Sequence, residues 1–465
     1  ILGGDEEMKN NMTNDMTKGN PTKLILLFSI PLLIGNIFQQ FYSMVDTIIV
    51  GKYLGVSALA SVGSTGSINF MIIGFCMGVC NGFAIPVAQK FGAGNFKKLR
   101  KYVFNSGFLA IVFSVVMTLI VCVFCRQILI AMRTPEDIIQ GAYSYIYVIF
   151  LGIPATYLYN LLSGIIRSLG DSKTPLFFLI ISSIINIILD LFLIIYMHMG
   201  VAGAAWATVI AQAVSGILCL IYMRKKYSVL KFESDELKID GYCIRRLCYM
   251  GVPMGLQYSI TAIGSVILQA AVNGLGSIIV AAVTAAGKIS MFLCCPFDAL
   301  GSTMATYTGQ NIGAGKLERI SEGIKKSMII GSVYSIVALM ISVFFGKSLA
   351  LLFVNENEIE ILAKVSENLI IVAAFYIPLC IVNVVRFTIQ GMGYSTFAIL
   401  AGVCEMIARA LCGFILVPIF GYVAVCLASP IAWIFADAFL IPAYKYVINK
   451  SKCEMKIKLV EAKNI

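Results

Sequence analysis

Long apolar runs alternate with short polar breaks along almost the whole chain. The runs lie near Leu24–Val50, Ala58–Val87, Val103–Cys125, Ala142–Leu169, Leu176–Met197 and Val201–Met223. A second set lies near Leu247–Val272, Ile278–Tyr307, Met328–Phe345, Leu369–Gln390, Phe397–Phe420 and Val423–Ile448. A helix crosses a bilayer with roughly 20 apolar residues. The pattern therefore predicts an all-α, polytopic membrane protein of twelve transmembrane helices.

The same pattern divides the chain. Residues 1–23 read as a disordered cytoplasmic N-terminus, with no basic region and cleavable apolar core of the signal-peptide kind. Residues 24–223 form a first six-helix lobe and 247–448 a second. The charged stretch 224–246 reads as a cytoplasmic linker, and 449–465 as a cytoplasmic tail. The two lobes repeat each other. Gln89-Lys-Phe-Gly-Ala-Gly-Asn95 recurs as Gln310-Asn-Ile-Gly-Ala-Gly-Lys316, and Gly200-Val-Ala-Gly-Ala-Ala-Trp-Ala-Thr208 as Gly421-Tyr-Val-Ala-Val-Cys-Leu-Ala-Ser429. Pro31 pairs with Pro253, and Pro154 with Pro378. Six spans per half is even, so both halves enter the membrane in the same sense, as parallel repeats.

Composition sharpens this. Hydrophobic residues make up 59% and charged residues 13% of the 465 residues, against about 25% charged in soluble proteins. The net charge of +11 does not point to nucleic acid, because the basic residues cluster in the short breaks. Roughly 27 of the 35 Lys and Arg fall on the side of the termini, which the positive-inside rule makes cytoplasmic. The fourteen Cys lie mostly within apolar runs without metal-ligand spacing, and read as small buried hydrophobes.

Ionisable side chains inside a bilayer are costly, by about 2.5 to 3.5 kcal/mol on insertion scales, so the few present are where chemistry is expected. They are Asp46, Asp190, Lys288, Asp298, Arg386, Glu405, Arg409 and Asp437. Asp46 is either functional or a carboxylate near the outer interface. Asn186 and Asp190 are four residues apart and share a helix face. They read as hard oxygen ligands for Na⁺ or a proton, or as a polar seam between helices. Glu405 and Arg409 have the same spacing and read mainly as a structural ion pair. Asp298 follows Pro296 and is placed to line a cavity, whereas Arg386 and Asp437 read as snorkelling toward the cytoplasm. The one His, His198, falls in an outer loop, and HExxH, GxSxG and GxxxxGK[ST] patterns are absent from the sequence. An enzyme is not expected, and no cofactor other than a coupling ion.

These residues resemble the multidrug and toxic compound extrusion family of secondary transporters. Asp46 with Thr-Ile-Ile-Val-Gly51, Asn186-x-x-x-Asp190, the run Gly200–Thr208, the two Gly-Ala-Gly loops and Gly164-Ile-Ile-Arg-Ser-Leu-Gly-Asp171 carry the likeness in order, from about Leu24 to Lys450. The resemblance implies export of organic, often cationic compounds in exchange for Na⁺ or H⁺. It implies a cation site of Asp46, Asn186, Asp190 and Thr208, with Gln39 and Tyr42 lining the same cavity and Pro31 as a hinge. It implies no resident metal beyond Na⁺ at Asp46, Asn186 and Asp190. The family's seventh-helix Glu is missing from Gly251-Val-Pro-Met-Gly-Leu-Gln257, which leaves Asp298 and Glu405 as the acids of a C-terminal cavity.

Two carboxylates close together in low dielectric repel, so either one of them holds a proton or a cation sits between them. If cargo and coupling ion stabilise opposite-facing states, the halves rock about a midplane site and exchange follows. The implied setting is the cell membrane, as a monomer with both termini cytoplasmic, handling small organic molecules. The alternatives are a flippase for a lipid-linked precursor, which wants a more basic cavity, and, less favoured, a membrane-embedded enzyme or a channel.

Overall fold

The computed structural model describes residues 14–132 and 134–463, nearly all of them in helices. Of the segment 1–23, residues 1–13 lie outside those described, and from Pro21 the chain is already helical. The long helices are α1 (Pro21–Leu54), α2 (Gly66–Gly92), α3 (Phe96–Val123), α4 (Ile139–Leu151 and Ile153–Ser168), α5 (Lys173–Leu191) and α6 (Gly200–Lys226). The second half supplies α7 (Gly241–Asn273), α8 (Ser277–Gly313), α9 (Leu317–Ala350), α10 (Ile359–Ala374 and Tyr376–Gly391), α11 (Thr396–Leu411) and α12 (Tyr422–Lys463). Among the described residues ten helices are long and apolar enough to cross a membrane, and twelve with each bent pair counted as one span.

The two bent spans have a common cause. α4 bends by 46° and α10 by 51° between their arms, and Pro154 and Pro378 sit within three residues of each break. Proline has no N–H to give the carbonyl four residues back and clashes with it. The continuous run expected at 58–87 is also broken. A short helix, Val56–Ser64, precedes α2, and Thr65 folds its hydroxyl back onto the Val62 carbonyl at 2.7 Å. Residues 449–463, expected as a tail, continue α12.

Local geometry repeats as the sequence does. Glycines with positive φ occur as Gly55 and Gly276, Gly94 and Gly315, Gly170 and Gly393, and Gly200 and Gly421. A single π-turn follows α5 (Phe192–Tyr196) and another follows α11 (Cys412–Leu416). Gly94 at φ +66° turns the chain between α2 and α3 in a conformation that favours glycine. Asn95 then caps α3, its side chain accepting the Lys98 N–H at 3.0 Å.

The helices are inverted relative to those of soluble proteins. α9 buries Gly331, Ser335, Ala338, Ser342 and Gly346, while Ile329, Val333, Ile336, Met340 and Phe344 are exposed, Phe344 by 75%. Small residues inside let backbones approach, and large apolar ones outside meet lipid.

Two compact units form, one built on Ile30–Ser259 and the other on Thr17–Ser29 and Ile260 onward. The first unit therefore takes in the linker and the start of α7, beyond the boundary at 223 expected from hydropathy. Gly78 and Gly82 of α2 pack on Gly251 and Gly255 of α7. A Cβ at Gly82 would stand 2.5 Å from the Gly251 Cα, and one at Gly78 2.6 Å from the Met254 carbonyl. Two glycines four residues apart on each helix make this backbone contact possible. The linker is pinned as well. Arg100 on α3 donates from Nε and Nη2 to the two oxygens of buried Glu236, at 2.6 and 2.7 Å. Asn105 also accepts the Asp240 N–H at 2.9 Å.

Candidate functional site

In the first unit, α5 carries Asn186 and Asp190 on one face, 2% and 0% exposed. The Asn186 amide donates to the Thr208 hydroxyl on α6 at 3.3 Å, and that hydroxyl donates to the Ala204 carbonyl at 3.2 Å. This turns the Asn186 carbonyl oxygen away from Thr208. Asp46 on α1 brings its carboxyl within hydrogen-bonding reach of Asp190. Such a bond needs a proton on one of them, since two carboxylates only accept. As carboxylates, both Asp190 oxygens and Asp46 Oδ1 are buried without a partner, and so is Asn186 Oδ1. Buried oxygen acceptors normally find a donor. Four unmatched oxygens from two acids and an amide fit one small cation, either a proton on a carboxyl or a hard metal ion such as Na⁺.

Local structure explains why these residues converge. Gln39, Tyr42 and Asp46 are spaced three and four residues apart on α1, so they share one face. The π-turn begins two residues after Asp190. It displaces the helix end beyond the carboxylate, a distortion common at functional sites. Tyr42 stands close to Asp46, and Tyr145 of α4 close to Asp46, Asp190 and Tyr42. Pro31 lies within α1 next to Ile30, where that helix passes from one compact unit to the other.

The second unit holds a different cluster. Glu405 on α11 accepts from Arg386 of α10, and its other oxygen lies 3.5 Å from Arg409 Nη2. Arg386 and Asp437 are 6% and 7% exposed, so neither snorkels as their place in the sequence suggested. Asp298 and Asp437 both face Arg386. Asp298 and Lys288 are exposed. Glu405 is already held by two guanidiniums, whereas Asp46 and Asp190 have no basic partner among the described residues.

Sequence reasoning missed Tyr145, which is one of three tyrosines in Tyr143-Ser-Tyr-Ile-Tyr147 and looks like an interfacial aromatic. Asp46 and Asp190 lie 144 residues apart in the chain, and it was depth along each span that the sequence left unresolved.

Comparison with known proteins agrees with this architecture. The chain is 29% identical over 354 residues to the "Probable multidrug resistance protein YoeA" of Bacillus subtilis, covering 75% of this chain and 76% of that one. It is 27% identical over 387 residues to "Probable multidrug resistance protein YpnP" of the same organism, covering 83% and 85%. A solved structure described as the outward-facing conformation of a multidrug resistance MATE family transporter superposes with a TM-score of 0.88. That match has 21% identity and covers 94% of this chain and 98% of that chain, so it speaks to the fold. The family model MatE matches residues 31–192 and again 253–415. Those two segments take up most of the chain, each bearing one copy of the repeat, and the protein accordingly belongs to the MatE family of multidrug efflux transporters rather than to any class of enzyme.

Proposed function

We propose that this transporter is a secondary active antiporter that exports amphipathic organic compounds, many of them cationic, in exchange for Na⁺ or H⁺ by alternating access. The coupling cation binds at Asp46, Asn186, Asp190 and Thr208, and no other cofactor is needed. In the first unit cargo contacts Gln39 and Tyr42; in the second, Asp298 is the acid open to cargo, because Glu405 is already held by Arg386 and Arg409. The protein works as a monomer in the cell membrane, with both termini cytoplasmic.

One observation carries this reading: two acids in the membrane interior face each other with an amide oxygen beside them and no resident base. An isolated charge there is expensive, and a mobile cation that enters and leaves relieves it. A cation moving inward down the membrane potential releases about 2.3 kcal/mol per 100 mV, which drives cargo of lower charge the other way, while a monocation exchanged one for one is driven by the ion's concentration gradient alone. The test is dye transport into the lumen of everted vesicles, the direction that is efflux from the cell, with a Na⁺ gradient and a pH gradient imposed separately. Efflux driven by one gradient and lost in Asp46→Asn and Asp190→Asn supports the proposal. Efflux that ignores both gradients, or persists in both variants, removes it.

A further inference from the structure

Arg167 is a buried-side cation without a counter-ion. It is the penultimate residue of α4, at the end that charge counting makes cytoplasmic. An arginine so placed ordinarily turns outward to the headgroups. Here the side chain runs back along its helix, as long helical side chains tend to, and donates from Nη2 to the Asn81 side-chain oxygen at 3.1 Å. Asn81 lies eleven residues before the end of α2 at Gly92, or roughly 16 Å along the axis. The guanidinium is therefore well inside the unit.

Among the described residues no acid stands beside it. The groups near it are Tyr159 on α4, Tyr258 on α7, Cys80 on α2 and Cys219 on α6. Among the described residues it takes part in no ion pair. Asp171, the nearest acid in sequence, is committed to the Lys173 and Thr174 N–H groups and to the Thr174 and Tyr227 hydroxyls. Arg167, Asn81, Tyr159 and Tyr258 are all half-buried, each keeping part of its surface accessible. Four of its five N–H donors are left without a protein acceptor.

We propose that Arg167 is the anion-recognising residue of the cargo site in this unit, taking a carboxylate or phosphate carried by an amphipathic organic compound. Tyr159 and Tyr258 supply aromatic faces beside it. The proposal rests on the exporter reading for what a cargo is, and it follows from charge. Among the described residues Arg167 has no acid beside it, which favours cargo that carries an acid group, zwitterions included.

The probe pair is rhodamine B, a zwitterion with a free benzoate, and its ethyl ester, which lacks that carboxylate. Equilibrium binding is followed by fluorescence anisotropy on the purified full chain in phosphatidylcholine nanodiscs. No gradient is present, so failure of ion coupling leaves the result intact, and failure of this proposal leaves coupling intact. The expected result is roughly tenfold tighter binding of the acid than of the ester, the worth of one charge-assisted hydrogen bond. Arg167→Gln should bring the acid to the affinity of the ester without changing the ester, and Arg167→Lys should keep part of the preference. If Arg167→Gln does not fold, the wild-type ratio and the Lys variant decide. Equal binding of both dyes, binding of neither, or a preference that survives Arg167→Gln overturns the assignment. So does displacement of the acid by phosphatidylglycerol in the wild type but not in Arg167→Lys, because the anion held is then a lipid headgroup.

Discussion

Glu405 on α11 receives the guanidinium of Arg386 from α10 on one oxygen and that of Arg409, one turn along its own helix, on the other. Removing its charge leaves two buried cations facing each other. Breaking a buried ion pair from one side costs about 3 to 5 kcal/mol. Glu405→Gln should therefore lower the melting temperature in detergent markedly. Adding Arg409→Gln should recover part of the loss, because the single changes are not additive within one network.

Asp46 and Asp190 predict a different kind of defect. Asn is nearly the same size as Asp and needs no counter-ion, so Asp46→Asn and Asp190→Asn should leave expression and melting close to wild type. Gradient-driven efflux should fall at least tenfold, toward the vesicle background. Low protein in the membrane fraction would instead assign these acids a structural part.

Thr208 orients Asn186 and so keeps its carbonyl oxygen unmatched. Thr208→Val should weaken the coupling ion about fivefold, in line with one hydrogen bond of about 1 kcal/mol. Thr208→Ser should restore it. The measurement is the concentration of Na⁺ or H⁺ that gives half-maximal efflux.

The linker is expected to loosen in acid. The hydrogen bonds from Arg100 hold the Glu236 carboxyl below the usual glutamate range, outweighing its burial. A depressed carboxyl stabilises the docked state fully above the ordinary glutamate value, and that stability is lost as pH falls through the lower, docked value. Amide protection in residues 227–240, with exchange corrected for its intrinsic pH dependence, should fall below the glutamate range and stay level between neutral and mildly alkaline pH. Arg100→Gln should give fast exchange at every pH.

Much of this was legible beforehand, for a physical reason. A charged residue in an apolar run is costly enough to stand out, which is how Asp46, Asp190, Glu405 and Arg409 were found. Helix-breaking prolines and glycines likewise marked the repeat. Side-chain direction was not legible, because a residue near a helix end can turn outward to headgroups or inward to a partner. Arg386 and Asp437 turn inward and are buried, and Arg167 reaches Asn81. The break at Thr65 escaped because the apolar run continues through it.

The glycine contact between α2 and α7 bears on how the gene could be cut in two. Although hydropathy marks the linker as the seam, a fragment ending there would lose Gly251 and Gly255, and the notch at Gly78 and Gly82 would open to lipid. The border of the repeat and the border of this packing do not coincide: a split-protein pair should reassemble better when severed in the turn after α7, past Asn273, than at the obvious hydrophilic gap.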